Sequence, residues 1–446
     1  MGGEAVSGEH RFDADSARMA LARDEVIWGL PLVLFGRYLD AAIAAGVPLN
    51  RFFMNTETAT PLSHAVGPNI DTLNGRAWLD LSEGPQIIGV PDTADRYYSV
   101  QLQDMYMNSF AYIGRRTTGT KAGWFAITPP GFSDGLPEGV TRIEAPTSKV
   151  LAFVRTLVRG RPDLPVVQAI NATFTLGALA DFPGGQHKAT IAPDALDAFQ
   201  PDSRRTGKAL PHDEIARAGA TYFDDLDQLV HMYPPPSSDT ARLADFAAHG
   251  RDSAKHAGAF AAAVPAAIEL IGKSLQTRSD NGWSRRPNVA AFIEDPLQRA
   301  ANHLYGPGTQ VADESVFWNK RQGPDGSVLS GRNRYRLRFA KGQLPPVDAF
   351  WSLTLYDRNY FLFGKPLDRF GITDRDAQLR YGNDGSLELL VQADEPDEGP
   401  ANWLPAPRDD FQLVLRTYQP HKPILDGTYL PPPLEIVGAG TPVRTC

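Results

Sequence analysis

Between residues 15 and 46 apolar side chains recur at helical spacing, with Ala17, Ala20, Leu21, Ile27 and Trp28 ahead of Pro31 and an amphipathic continuation to Ala45. The spacing predicts a helix with a kink at Pro31. From about 74 to 160 the period becomes two. Trp78, Asp80 and Ser82 alternate with Leu79 and Leu81, and Val100, Leu102 and Asp104 share one strand face. Helical spacing returns from about 190 to 304, in HDEIARAGATYFDDLDQLVHM and in the Ala-rich HAGAFAAAVPAAIELIGKSL. Residues 331–434 again read as strand and turn.

The two strand regions repeat one another. GVPDTADRYYSVQLQD (89–104) lies over GQLPPVDAFWSLTLYD (342–357) without a gap, and APTSKVLAFVRT (145–156) lies over APRDDFQLVLRT (406–417). Upstream, GRAWLDLSEG (75–84) resembles GRNRYRLRFAKG (331–342) with a two-residue insertion. The expected fold is α+β and multidomain, with two β-sandwich, jelly-roll-like domains related by an internal repeat, plus a mainly helical domain. The expected divisions are an N-terminal helical segment over 1–60, a first sandwich over 61–185, a helical domain over 186–320 and a second sandwich over 321–446. Asp104 and Asp357 each close an apolar strand face, and a buried carboxylate needs a partner. Arg155 and Arg416, at matching places, are the expected partners. Because the arrangement occurs twice, it reads as framework, a strand-end Asp tying down a turn or an Arg.

Composition narrows the function classes. At 446 residues, 42% hydrophobic and 22% charged, the chain is globular and sized for about three domains of ~150 residues. Its net charge of −8 provides no clustered basic surface, so nucleic acid is not an expected partner. The single cysteine, Cys446, excludes an intrachain disulfide and a thiolate metal cluster and fits a reducing compartment. The N-terminus is polar and acidic, without a visible signal peptide. The run Val26 to Gly36 is too short to span a bilayer and contains Pro31, so it reads as buried helix. A cytoplasmic protein with no membrane partner is expected; a homodimer is left open.

Candidate chemistry is sought in what only one copy of the repeat carries. GPNIDT, at 67–72, has no counterpart before Gly331, which singles out Asn69, Asp71, Thr72 and Asn74. Asn108, Tyr112 and Arg115 in DMYMNSFAYIGRR are likewise replaced in the second copy. There is no Walker loop, dinucleotide Gly-rich fingerprint or His-Glu-x-x-His, and GFSDG (131–135) sits among prolines as a turn. The nine histidines show no i, i+4 pair, so neither a local metal motif nor an organic cofactor is expected. His64 stands close before Asp71. It is either a solvated loop residue or half of an acid/base pair with Asp71, with Asn69, Thr72 and Asn108 orienting a substrate and Tyr112 and Arg115 at the pocket edge. Tyr97, Tyr98, Tyr106, Tyr112 and Trp124 either wall that pocket or fill a core. The expected function is small-molecule chemistry of hydrolase or lyase type; the alternative is a non-catalytic binding protein for a sugar or lipid-like ligand.

These motifs resemble a pair of domain-of-unknown-function families, numbered 1254 and 1214. PNIDTLNGRAWLDLSEGP, DRYYSVQLQDMYMNSFAYIGRRTTGT and the helix from Glu25 to Asp40 are similar to the first. NRYRLRFAKGQLPPVDAFWSLTLYD, ANWLPAP and LDGTYLPPPLE are similar to the second. The resemblance implies two β-sandwich-like domains with a mainly helical domain between or beside them, and no particular reaction. The family often has Asn-Asn-Asp-Thr-Leu-Tyr where this chain has Asn69 to Asn74, and many of its members carry a secretion signal.

Overall fold

In the computed structural model a single helix, α1, runs from Ala5 to Ala44 and carries Pro31 inside it. The structure describes residues 5–63, 67–192, 211–235, 239–249, 255–274, 278–286, 294–363, 367 and 369–439. From Glu25 to Phe35 every residue of α1 is buried, as expected of a helix that is apolar around its circumference. The apolar stretch is longer than Val26 to Gly36: Ser16–Ala44 and a second helix, Ala257–Ser274, are both long and apolar enough to cross a membrane by length and composition. In the first of these, 72% of the apolar window is buried inside the fold.

The described residues form four sheets and several helices, a multidomain α+β arrangement. Strands of the first half are β1 (Phe53–Met54), β2 (Thr72–Asp80), β3 (Gln86–Val90), β4 (Tyr98–Gln103), β5 (Ser109–Gly114), β6 (Gly123–Thr128), β7 (Val140–Glu144), β8 (Lys149–Leu157), β9 (Thr175–Ala178), β10 (His187–Lys188) and β11 (Thr190–Ile191). They make a six-stranded sheet, β11-β1-β2-β8-β4-β5, and a five-stranded sheet, β10-β9-β3-β6-β7. The second half contributes β12 (Arg278–Asp280), β13 (Trp283–Arg285), β14 (Ser315–Lys320), β15 (Asn333–Phe339), β16 (Val347–Asp357), β17 (Gly371–Thr373), β18 (Leu387–Gln392), β19 (Trp403–Pro405), β20 (Phe411–Pro420) and β21 (Leu434–Ala439). Here the orders are β12-β13-β14-β20-β16-β17 and β19-β18-β15-β21.

Alternation decides which face each strand buries. In the first half Val100, Leu102, Val150, Ala152 and Val154 share a core with Ile88, Phe125, Ile127 and Leu176 of the five-stranded sheet. In the second half Trp351, Leu353, Leu355, Leu413 and Leu415 do the same with Leu337, Leu389 and Val391. The opposite face of the first six-stranded sheet is covered too: Trp78 and Leu151 pack with α1 and with helices Thr221–Met232, Ala257–Ser274 and Pro296–Tyr305. That double burial explains why β8 is buried at every position from Val150 to Leu157.

Two expectations are corrected. Residues 75–84 and 331–342 are not equivalent, because the former belong to β2 in a six-stranded sheet and the latter to β15 in the four-stranded one. Both stretches alternate around a Gly-Arg start, and alternation carries no information about which sheet a strand joins. In addition, β12, β13 and β14 fall within the stretch expected to be helical and extend a six-stranded sheet. By contrast, 89–104 and 342–357 end in β4 and β16, and 145–156 and 406–417 hold β8 and β20. Those pairs keep one register, Ser99 opposite Arg155 and Ser352 opposite Arg416.

One buried acid in α1 carries a pH signature. Glu25 is 7% exposed, and burial, reinforced by Asp245 and Asp24, pushes its carboxyl up to about 8 from an ordinary 4.5. Between those values the unfolded chain is ionised and the folded one is protonated, so the unfolded state binds fewer protons and stability falls as pH rises. Glu25→Gln is expected to flatten this decline. Thermal melts of both proteins from pH 4.5 to 8 check it, and parallel curves would refute it.

Candidate functional site

The run 67–72 enters β2 as a loop laid across the second half. The Gly67 carbonyl accepts from Arg416 Nη2 at 3.1 Å and the Pro68 carbonyl from the Tyr356 hydroxyl at 2.6 Å. Asn69 closes an Asx turn by accepting from the Asp71 amide at 2.6 Å, and its Nδ2 donates to the Tyr418 hydroxyl at 2.7 Å. Asp71 is 1% exposed. Its Oδ2 accepts from Ser352 Oγ at 2.6 Å and its Oδ1 pairs with the Arg375 guanidinium, which itself lies 4.6 Å over the Phe350 ring. Thr72 Oγ1 donates to Asn74 Oδ1 at 2.9 Å.

The second half returns the contact. Arg155 donates to the Gly308 carbonyl and, at 2.9 Å, to Gln101 Oε1. Gln310 Nε2 reaches Ser99 Oγ at 3.1 Å, and the Val311 amide donates to the Tyr112 hydroxyl at 3.0 Å. Between the two loops Tyr97, Leu157, Phe350 and Tyr418 form a small buried cluster, with Phe350 and Tyr418 stacked at 4.1 Å.

The sequence-predicted residues are thus divided among several places. Asn69, Asp71 and Thr72 come together in the first loop. Tyr112 belongs to the reciprocal loop contact. Asn108 belongs to a turn on the helical side, where its side chain donates to Asp104 at 3.2 Å. Arg115 lies at the outer seam, donating to Asp95 at 3.0 Å and to Gln419 Oε1 at 2.6 Å. His64 falls outside the described residues. The five aromatic side chains do not form one wall: Tyr98 is in the sheet core, Tyr106 in the helical core, Tyr97 in the seam, and Trp124 packs edge-on against Phe182.

The expected aspartate–arginine pairs are not formed. Arg155 stands opposite Ser99 and Arg416 opposite Ser352, on the strand faces turned away from Asp104 and Asp357. The aspartates cap turns instead. Asp104 Oδ1 accepts from the amides of Tyr106 and Asn108, and Asp357 Oδ1 from those of Asn359 and Phe361, at 2.8–2.9 Å. In each turn the next-to-last residue, Met107 or Tyr360, has a positive φ, 63° or 69°. Asp104 is buried and its carboxyl is pushed up to about 6, whereas Asp357 is only half-buried.

A cleft of about 560 Å³ opens at the outer seam, lined by Asp95, Arg115, Arg116, Gly119, Thr120, Asp313, Asp348, Gln419 and Pro420. Arg116 pairs with the buried Glu314 and lies 5.2 Å over the Tyr112 ring, and Asp348 pairs with His421 at 2.8 Å. Of this lining only Arg115 was singled out in the sequence. Arg116, Asp313, Asp348 and Gln419 sit at strand ends and turns, and the adjacent arginines of GRRTTG were the one local signal. Among the described residues no group of His, Cys, Asp and Glu is arranged to hold a metal ion.

Four sheets, a covering helical layer and loops exchanged across a seam define a multidomain α+β scaffold. The family described as Protein of unknown function (DUF1254) matches residues 49–178, and the one described as Protein of unknown function (DUF1214) matches residues 314–422. The chain belongs to the group of proteins that carry this pair. Its structure is similar to the crystal structure of the VPA0106 protein from Vibrio parahaemolyticus, with a TM-score of 0.71 at 21% identity, covering 94% of this chain and 100% of that one. An uncharacterized protein from Burkholderia cenocepacia gives a TM-score of 0.43 at 12% identity, over 97% of this chain and 98% of that one. No curated protein matches the chain.

Proposed function

We propose that this chain is a non-catalytic binding protein for a small, hydroxyl-rich ligand of sugar type, held in the cleft at the outer seam. The observation that carries the reading is the lining: three carboxylates, two guanidiniums and an amide, drawn from both halves around about 560 Å³. That volume is within the roughly 300–1,000 Å³ usual for small-molecule pockets. Carboxylates accept from ligand hydroxyls and guanidiniums donate to ligand oxygens, so a polyol satisfies both, whereas an aliphatic ligand would leave them desolvated. Arg115 and Arg116 keep 26% and 28% of their side chains exposed, enough to offer further donors.

The proposal extends to the scaffold: each facing pair of sheets is a β-sandwich, and the two are copies of one ancestral unit. Strand order supports it. β2-β8-β4-β5 corresponds to β14-β20-β16-β17, and β9-β3-β6-β7 to β21-β15-β18-β19, with the same sequence order in both. The last pair of each second sheet is parallel, β6 with β7 and β18 with β19. In this reading the first unit occupies about 61–185 and the second begins with β14, with the helical domain between them.

Calorimetry with a panel of mono- and disaccharides tests the function. Binding by the wild type, weakened about tenfold or more in Asp313→Asn through loss of an ionised acceptor, is expected, without ligand turnover. No binding by any sugar, or equal binding by the variant, would refute it. The acid/base reading requires Asp71 to take up a proton although its two oxygens hold Arg375 and Ser352. Turnover that vanishes in Asp71→Asn with the fold intact would favour that reading instead.

A further inference from the structure

A second cavity lies on the other side of the first six-stranded sheet. It is lined by Phe35 and Tyr38 of α1, Arg76, Trp78, Gln103, Leu151 and Phe153 of the sheet, and Pro307 and Gly308. About 30 Å³ is open to the centres of water-sized atoms. With their radius of roughly 1.4 Å added, that is room for a ligand of a few non-hydrogen atoms. From this cavity we infer a binding site for a small planar oxyanion that also carries an O–H donor, such as bicarbonate or a short 2-hydroxycarboxylate.

Three observations specify that chemistry. The first is Gln103, which is fully buried and whose Oε1 has no hydrogen-bond partner. Its Nε2 faces the Met107 carbonyl at 3.4 Å, so flipping the amide would set oxygen against oxygen and leave the acceptor no better served. A ligand donor is what satisfies it, because an unmatched buried acceptor is costly.

The second is charge. The guanidiniums of Arg76 and Arg155 stand 4.6 and 3.8 Å from the centre of the same Phe153 ring. Arg155 donates to an amide oxygen and a backbone carbonyl, both neutral. Burial, together with Arg155, pulls Arg76 down to about 10. An anion beside Arg76 relieves this repulsion, and a planar oxyanion matches the guanidinium fork.

The third is shape. Phe35, Trp78, Leu151 and Phe153 offer apolar walls that strengthen the charge interaction by excluding water, and limit the occupant to a small flat molecule. The hydroxyl-rich ligand proposed for the seam cleft is too large for this cavity, so the two sites are distinct.

Calorimetric titration of the full chain with sodium bicarbonate, glycolate and acetate, at constant ionic strength and pH, tests the inference. Acetate presents the oxyanion without the O–H. Bicarbonate or glycolate is expected to bind about tenfold more tightly than acetate, and comparison of the two identifies which source of the chemistry is preferred. Gln103→Leu should remove the preference over acetate, and Arg76→Met should abolish binding of all three anions. Asp313→Asn, in the seam cleft, should leave these affinities unchanged. Equal affinities for glycolate, bicarbonate and acetate in the wild type, or no binding of any at millimolar concentration, would overturn the inference without recourse to variants. A preference that survives Gln103→Leu would overturn it too.

Discussion

Asp71→Ala is expected to destabilise the protein by about 3–5 kcal/mol, the usual effect of removing one member of a buried ion pair. The loss exceeds that of an exposed pair because Asp71 has no side-chain exposure and Arg375 keeps only 15%. Without the Asp71 carboxylate Arg375, over Phe350, keeps only the more exposed Asp374, 2.8 Å from its Nη1, and Ser352 loses its acceptor. Thermal and denaturant melts measure the effect. A double-mutant cycle with Arg375→Met separates the pair's own coupling from the cost of leaving Arg375 to Asp374 alone. Unchanged melting in Asp71→Ala would show that the 67–72 loop does not hold the two halves together.

Asp239→Ala should be comparably damaging, by about 3–5 kcal/mol, on the helical side of the molecule. Asp239 is 5% exposed and accepts from Trp28 Nε1 at 2.9 Å and from Arg299 Nη2 at 2.8 Å. Arg299 is fully buried, and its Nε and Nη1 already have no partner, so removing its carboxylate strands a guanidinium in the core between α1 and the helical layer. Arg299→Met in the same background should recover part of the loss, since an apolar side chain of similar length needs no counter-charge. Loss of helical signal at lower temperature than sheet signal, read by circular dichroism, would locate the damage. A variant that melts like the wild type would rule out a structural role for the pair.

The contrast between these aspartates shows what was legible in the sequence. The alternation of β4, β8, β16 and β20 was plain, whereas for Asp104 and Asp357 a turn was only one of two roles the sequence left open, although their amide partners stand two to four residues away. The role of Asp71 was not legible, since its partners Ser352 and Arg375 lie 281 and 304 residues along the chain. Arg155 and Arg416 were assigned to the wrong partners for a local reason. Their recurrence near the aspartates was real, but strand register turns them to the opposite face, toward loops of the other half. Equating 75–84 with 331–342 also drew attention away from the 308–311 segment before β14, whose contacts run the other way across the seam. The cleft was invisible for the same reason as Asp71, because its lining is assembled from β-strand ends of both halves.

The exchange of loops across the seam also sets a timetable for synthesis. The first half emerges from the ribosome complete in its own sheets, yet Asp71 must wait for Ser352, 281 residues later. At about 5–20 residues per second that interval is roughly 15–60 s. For all of it Tyr97 and Leu157 have no Phe350 or Tyr418 to cover them, and the Asp71 carboxylate has no guanidinium. The nascent chain therefore carries one wall of its seam, Tyr97 and Leu157, uncovered until the second half has been made.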